Sequence, residues 1–338
     1  MIAALLASTA GIPAILAIGA QPPAGEPPAT PPPVAQTAPA DAPPPSTDGP
    51  RYLLSETRIH EDPELFWPGF LSGLRGFEGF HWPVGNPIYF EPPMNESHLR
   101  PIYIHHNFAD GSQVGGGDLD VIAAQARIAI TERLSFIATK DGYSFLDAGG
   151  LPEDEGWNDI AAGLKYTFYA DPEAQLLMAA GARYQFESGD DEVLQGNVPE
   201  LSPFFSIAKG FDRFHIIAAI TDRISLDGGD GNNVLQWDLH LDCDIAPDIL
   251  PGFAPFFELH GLHYLDDGDR VALNVGGIDY ANLGSDNVSG STVITAGIGA
   301  RWELSPHASF GIGYHHALTN VNADTFEDRL TIDFILRW

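Results

Sequence analysis

Basic residues are scarce in this chain: 16 Lys and Arg stand against 46 Asp and Glu, a net charge of −30 over 338 residues. That balance disfavours nucleic acid and anionic lipid headgroups as partners, since both are polyanions. Cations match better. Cysteine is almost absent, and Cys243 alone excludes an intrachain disulfide framework and a four-cysteine zinc site. Long apolar runs are missing too. Beyond residues 1–20 there is no apolar stretch of about 18 residues, which excludes a helical membrane bundle. HExxH, GxSxG and phosphate-binding loops are not found, and no cofactor is expected.

Turn formers, by contrast, abound, with 36 Gly and 28 Pro. Residues 1–20 form an apolar run ending in small residues and read as a secretory signal cleaved after Ala20, with a retained anchor as the alternative. Residues 21–50 are a Pro/Ala-rich linker too poor in large apolar residues to fold. Residues 51–100 make an aromatic N-terminal segment. Within it Phe66, Trp67, Phe70, Leu71, Leu74 and Phe77 recur at helix-like intervals, which suggests a helix at the membrane surface, a plug in a barrel mouth or a loop on its rim. Residues 81–100, with four prolines, are expected to be irregular.

From Pro101 to Trp338 the pattern is all-β. Twelve segments alternate apolar and polar residues: 101–109, 119–131, 134–142, 157–169, 174–187, 200–209, 213–226, 233–246, 252–265, 291–304, 306–319 and 326–338. In 233–246, Leu235, Trp237, Leu239, Leu241 and Ile245 alternate with Gln236, Asp238, His240, Asp242 and Asp244. Alternation sends the two sets to opposite faces. Long acidic Gly-rich connections such as 143–156 and 266–290 alternate with tight ones such as Glu132-Arg133. Such spacing predicts an antiparallel up-and-down transmembrane β-barrel of about twelve strands with long loops at one end. Lipid then covers the twelve apolar faces, with aromatics gathered at the strand ends. A soluble sandwich is the competing fold.

The last stretch, TFEDRLTIDFILRW, places Leu330, Ile332, Phe334, Leu336 and the terminal aromatic Trp338 on one face. It resembles the C-terminal insertion signal of bacterial outer-membrane β-barrels of the porin-like kind. The resemblance implies a bacterial outer-membrane location, the outer-membrane bilayer and its insertion machinery as partners, and a periplasmic N-terminal segment and C-terminus.

By parity the lumen should be lined by Arg127, Lys165, Arg183, Arg223, Asp238, His240, Asp242, Glu258, His260, Arg301, Glu303, Asp333 and Arg337, with the signs nearly balanced. Such rows suit a small pore or passive transporter for small hydrophilic or amphipathic solutes. A salt-bridged interior in a non-conducting structural or surface-interaction barrel is the alternative. Acidic loop runs at 227–232 and 266–269 could take divalent cations, though neither has calcium-loop spacing. Inward His105, His240, His260 and His315 could approach one another or carboxylates, but no metal is expected. A third reading is an outer-membrane lipid hydrolase. Twelve strands resembles the outer-membrane phospholipase class in size, and His316 with Thr292 and Asp328 could mimic its catalytic set. The Ser expected two residues after the His is instead Leu318.

Overall fold

The computed structural model describes residues 67–272, 274–276, 279–319 and 325–338; the proposed signal and linker lie outside this range. The strands are β1 (His98–Phe108), β2 (Gly117–Ala129), β3 (Leu134–Lys140), β4 (Tyr143–Ala148), β5 (Asp154–Trp157), β6 (Ala161–Asp171) and β7 (Leu176–Gln185), followed by β8 (Glu200–Phe211), β9 (Phe214–Ser225), β10 (Val234–Cys243), β11 (Phe253–Tyr264), β12 (Thr292–Ser305), β13 (Ala308–Ala317) and β14 (Asp328–Arg337). All belong to one antiparallel sheet, and β1 pairs with both β2 and β14, which closes it into a barrel.

The 14 strands make 12 staves. Two staves are split: β2 pairs with β3 through Ala126–Ala129 and with β4 through Gly117–Ile122, while β6 and β5 continue the pairing on the far side. The segment 143–156, expected to be a loop, therefore carries two strands. Its Gly and acidic residues obscure the alternation of buried Ser144, Leu146 and Ala148 with their more exposed neighbours. The break falls at Gly142, whose φ of 102° is open to glycine and strained for other residues.

Outside, the barrel is apolar. Ile122, Leu164, Phe205 and Ile298 stand exposed on successive regions of the wall, Ile298 by 67%. Trp157, Tyr184 and Phe186 are exposed towards the long-loop end, and Phe168, Phe214 and Trp338 towards the tight-turn end. In water such a surface would aggregate; in a bilayer it is solvated, as a transmembrane barrel requires. Phe334, Leu336 and Trp338 of the terminal stretch are exposed on this face, with Leu330 and Ile332 half-buried beside neighbouring strands. Ile298→Arg, at the middle of β12, should cost about 2–4 kcal/mol. Urea unfolding in lipid vesicles would measure this, and an unchanged midpoint would argue against a lipid-facing Ile298.

The core lies inside the barrel. Residues 67–97 form no helix, contrary to the periodicity of their aromatics. Leu71 and Gly73 take left-handed φ values of 66° and 71°, and a side chain at 73 would strike the Asn95 carbonyl. The segment first crosses the tight-turn end, where the Leu71 amide donates to the Ala129 carbonyl at 2.9 Å. It then rises into the bore, turns at Asn86–Phe90, where the Phe90 amide donates to the Asn86 carbonyl at 3.0 Å, and descends to β1. Phe77, Phe80, Trp82, Phe90 and Met94 form the apolar cluster at the turn end with Leu177, Ile217 and Ile335 of the wall. At the other end the β11–β12 loop folds inward, and its Tyr280, Ala281 and Leu283 cluster with Ile88 and Tyr89.

Candidate functional site

The candidate site is the interior wall and the segment it holds. Of the thirteen residues expected to line the lumen, twelve are buried and Arg337 is partly so. Their partners come from other staves and from the segment.

On one side, the Glu91 carboxylate meets the Lys165 ammonium at 2.6 Å and the Arg127 guanidinium at 2.8 Å. Lys165 also donates to the carbonyls of Pro92 and Met94. Both cations lie over the Trp82 ring, 5.1 Å for Arg127 and 5.4 Å for Lys165. Burial alone would raise the Glu91 pKa, but the two cations reverse this and hold it well below the usual carboxylate range. Arg183 donates to the carbonyls of Ile88 and Tyr89. Arg301 donates to the Trp82 carbonyl at 2.6 Å and pairs with Asp333 at 2.8 Å.

Carboxylates of the opposite wall hold the same segment by its amides. Glu258 accepts from the Val84 amide at 2.9 Å and the Gly85 amide at 2.8 Å, and Asp238 accepts from the Asn86 side chain at 2.6 Å. Pairing register sets His240 opposite Glu258 and His260 opposite Asp238, and each imidazole bonds its opposite carboxylate, at 2.7 and 2.8 Å. Asp242 takes His215 and His240. At the loop end Arg223 pairs with Glu200, which also accepts from Tyr89 and Asn282.

His81 enters the bore beside Asp244 at 3.0 Å and Glu303 at 3.7 Å; Arg337 joins Glu303 to Glu96. Burial opposes a charged His81, but the Asp244 and Glu303 carboxylates, with Asp242 behind them, outweigh it and raise its pKa to about 10. The attachment is therefore complete below pH 6.5, the ordinary histidine value, and is lost as pH rises through about 10. Trypsin cleavage at Arg75 should accelerate over that range in the native chain and lose this pH dependence in His81→Phe. Equal profiles would remove His81 as an anchor.

Several participants escaped the sequence reading, among them Arg100, which pairs with Asp333, Glu200, Asp279 and Glu91. Arg100 and Glu200 sit at strand starts; placing the first strand at Pro101 lost Arg100, while inward parity with Ser202 marked Glu200. Asp279, bidentate to Arg329 at 2.9 and 2.5 Å, belongs to a loop without periodicity. Glu91 had a signal, being the only charged residue between Trp82 and Asn95.

The proposed hydrolase set does not assemble. Asp328 is opposite His316 in register, but its carboxylate accepts from Asn107, and the Thr292 hydroxyl bonds His263. The loop carboxylates brace the loops: Asp266 accepts from the Asn233 amide of the β9–β10 connection, and Asp267 from the Val288 and Ser289 amides of its own.

Closure, an apolar exterior and an ionic interior define a transmembrane β-barrel. No family model matches the chain, and no curated protein does. Among solved structures it is similar to the NanC porin, with 11% identity over 72% of this chain and 100% of that one and a TM-score of 0.44. It is also similar to two proteins of Pseudomonas aeruginosa. For the outer membrane protein OprD the identity is 14% over 65% of this chain and 58% of that one, TM-score 0.33; for OpdL it is 16% over 65% and 60%, TM-score 0.34.

Proposed function

We propose that this protein is a plugged outer-membrane pore, in which residues 82–94 close the bore and their withdrawal opens a path for small hydrophilic or amphipathic solutes. The observation that carries this reading is the way the segment is held. A permanently sealed barrel could be filled by apolar side chains at little or no cost in stability, since buried ion pairs seldom outperform well-packed hydrophobics. Here the anchors are salt bridges and hydrogen bonds to wall groups that water could solvate equally once the segment leaves. Both the N-terminal segment and the tight turns then face the periplasm, and the acidic loops face outward.

Planar-bilayer recording of the intact chain tests the reading. Long closed periods with brief openings are expected. A steadily open channel would contradict closure by the segment. Complete silence, persisting after the segment is removed, would favour the second reading, a non-conducting surface barrel. Inward folding of the β11–β12 loop over the segment's apex favours that alternative, because it adds a stopper from the other mouth.

A further inference from the structure

We infer that Glu258, His260 and His315 form a binding site for a divalent transition-metal ion of the zinc class, set between the barrel wall and the segment in its bore. The three residues each offer a ligand atom, and those atoms lie within 4.8 Å of one another. All three are at least nine-tenths buried. Two imidazoles and one carboxylate suit a borderline cation such as zinc, whereas calcium and magnesium take all-oxygen sets.

Strand register builds the site. Glu258 on β11 is paired with Gly297 on β12, and Gly297 with His315 on β13. A β-carbon at 297 would lie 2.0 Å from the His315 ring. With none there, His315 leans across β12 and brings its Nε2 to 2.8 Å from Glu258 Oε2. His260 Nε2 is 3.7 Å from the same oxygen. Ligands of a tetrahedral ion at about 2.1 Å stand about 3.4 Å apart, so the first spacing must widen by about 0.6 Å and the second close by about 0.3 Å, while the two histidine nitrogens, within 4.8 Å of each other, close by at most about 1.4 Å. The ion would replace the proton now shared by Glu258 and His315.

Three further observations point to a ligand. Asp238 lies 2.8 Å from His260 Nδ1; in the neutral ring with its proton on Nδ1 the lone pair is on Nε2, the arrangement that carboxylates impose on metal-binding histidines. That Nε2 is buried without a hydrogen-bond partner, as is His315 Nδ1. A cavity of about 20 Å³ is lined by both histidines and Asn86, room for one water as a fourth ligand by the usual criterion of about 10–15 Å³. On the fourth side Gly85 of the segment approaches so closely that a β-carbon would sit 2.3 Å from His315 Nε2 and 2.5 Å from Glu258 Oε2. The same carboxylate thus faces the ion and the segment's amides, and the site stands whether or not the bore ever opens.

The test uses the untagged full chain, purified in detergent, stripped with chelator and dialysed against zinc; bound metal is counted by elemental analysis. His260→Ala and His315→Ala should each bind one zinc fewer than the native chain. His105→Ala, which removes the histidine of the more exposed His105–Asp118–Asp120 group, should bind one more than those variants. Asp238→Asn should weaken the buried site about 10- to 100-fold. Unchanged stoichiometry in both His260→Ala and His315→Ala would overturn the assignment. Should those variants fail to show the heat-dependent gel shift of a folded barrel, cobalt in His81→Phe, which removes a ligand of the other two-histidine group, His81–His215–Asp244, decides. Intense visible bands of a four-coordinate ion with nitrogen ligands support the site, and a weak six-coordinate oxygen spectrum or no uptake refutes it.

Discussion

Replacing residues 82–94 with a Gly/Ser linker of equal length should raise bilayer conductance at least about tenfold, because twelve staves enclose a lumen wider than an eight-stranded barrel can offer. The replacement removes Trp82, Phe90 and Glu91 and, with them, the packing that holds in place the backbone carbonyls that Lys165, Arg183 and Arg301 now bond. Those cations would not be stranded in a dry interior. Water entering from the tight-turn mouth would hydrate them, and the wall carboxylates Asp238 and Glu258 would remain nearby to balance their charge. The barrel should therefore keep its closed pairing, checked by its heat-dependent gel mobility. If mobility is native and conductance stays at the level of the intact chain, the segment is not what closes the bore.

Removing one carboxylate should have nearly as large an effect. Glu91 is fully buried and pairs with two buried cations, Arg127 and Lys165. Breaking a buried pair costs about 3–5 kcal/mol, because the partner charge is left uncompensated. In Glu91→Gln the penalty falls on the seated state alone, since withdrawal hydrates both cations. An increase in open probability of more than about a hundredfold follows from a shift of that size. Adding Lys165→Met should recover part of it, which a double-mutant cycle measures. The pH dependence has a definite sign. The Glu91 pKa is depressed in the folded chain, so its contribution is complete above about pH 4.5, the ordinary glutamate value, and is lost as pH falls below it. Acid should open the native bore by this route, and Glu91→Gln should respond less because only the other carboxylate anchors remain to titrate; matching acid profiles would place the load elsewhere.

The wall could be read from the sequence because a strand's side chains alternate whatever it pairs with. Asp238, His240 and Asp242 had to share one face, and the apolar residues between them had to share the other. Nothing comparable marks the segment. Its path depends on prolines that prevent helix and strand, and on hydrogen bonds to side chains from β6, β7, β11 and β12, which no local pattern encodes. The split staves were lost because Gly142 interrupts alternation that resumes on the far side. The Glu258–His260–His315 group illustrates a different limit. Its histidines were recognisable as inward residues, but their meeting requires the lateral register of three strands and an empty position at Gly297.

The Leu74 amide donates to the Asn95 carbonyl at 2.8 Å, so the ascending and descending limbs of the segment meet at the same rim. Such an excursion has both feet at one doorway and no free end to thread. If it withdraws as proposed, it leaves like a drawn bolt, through the tight-turn mouth, while every stave keeps its neighbours.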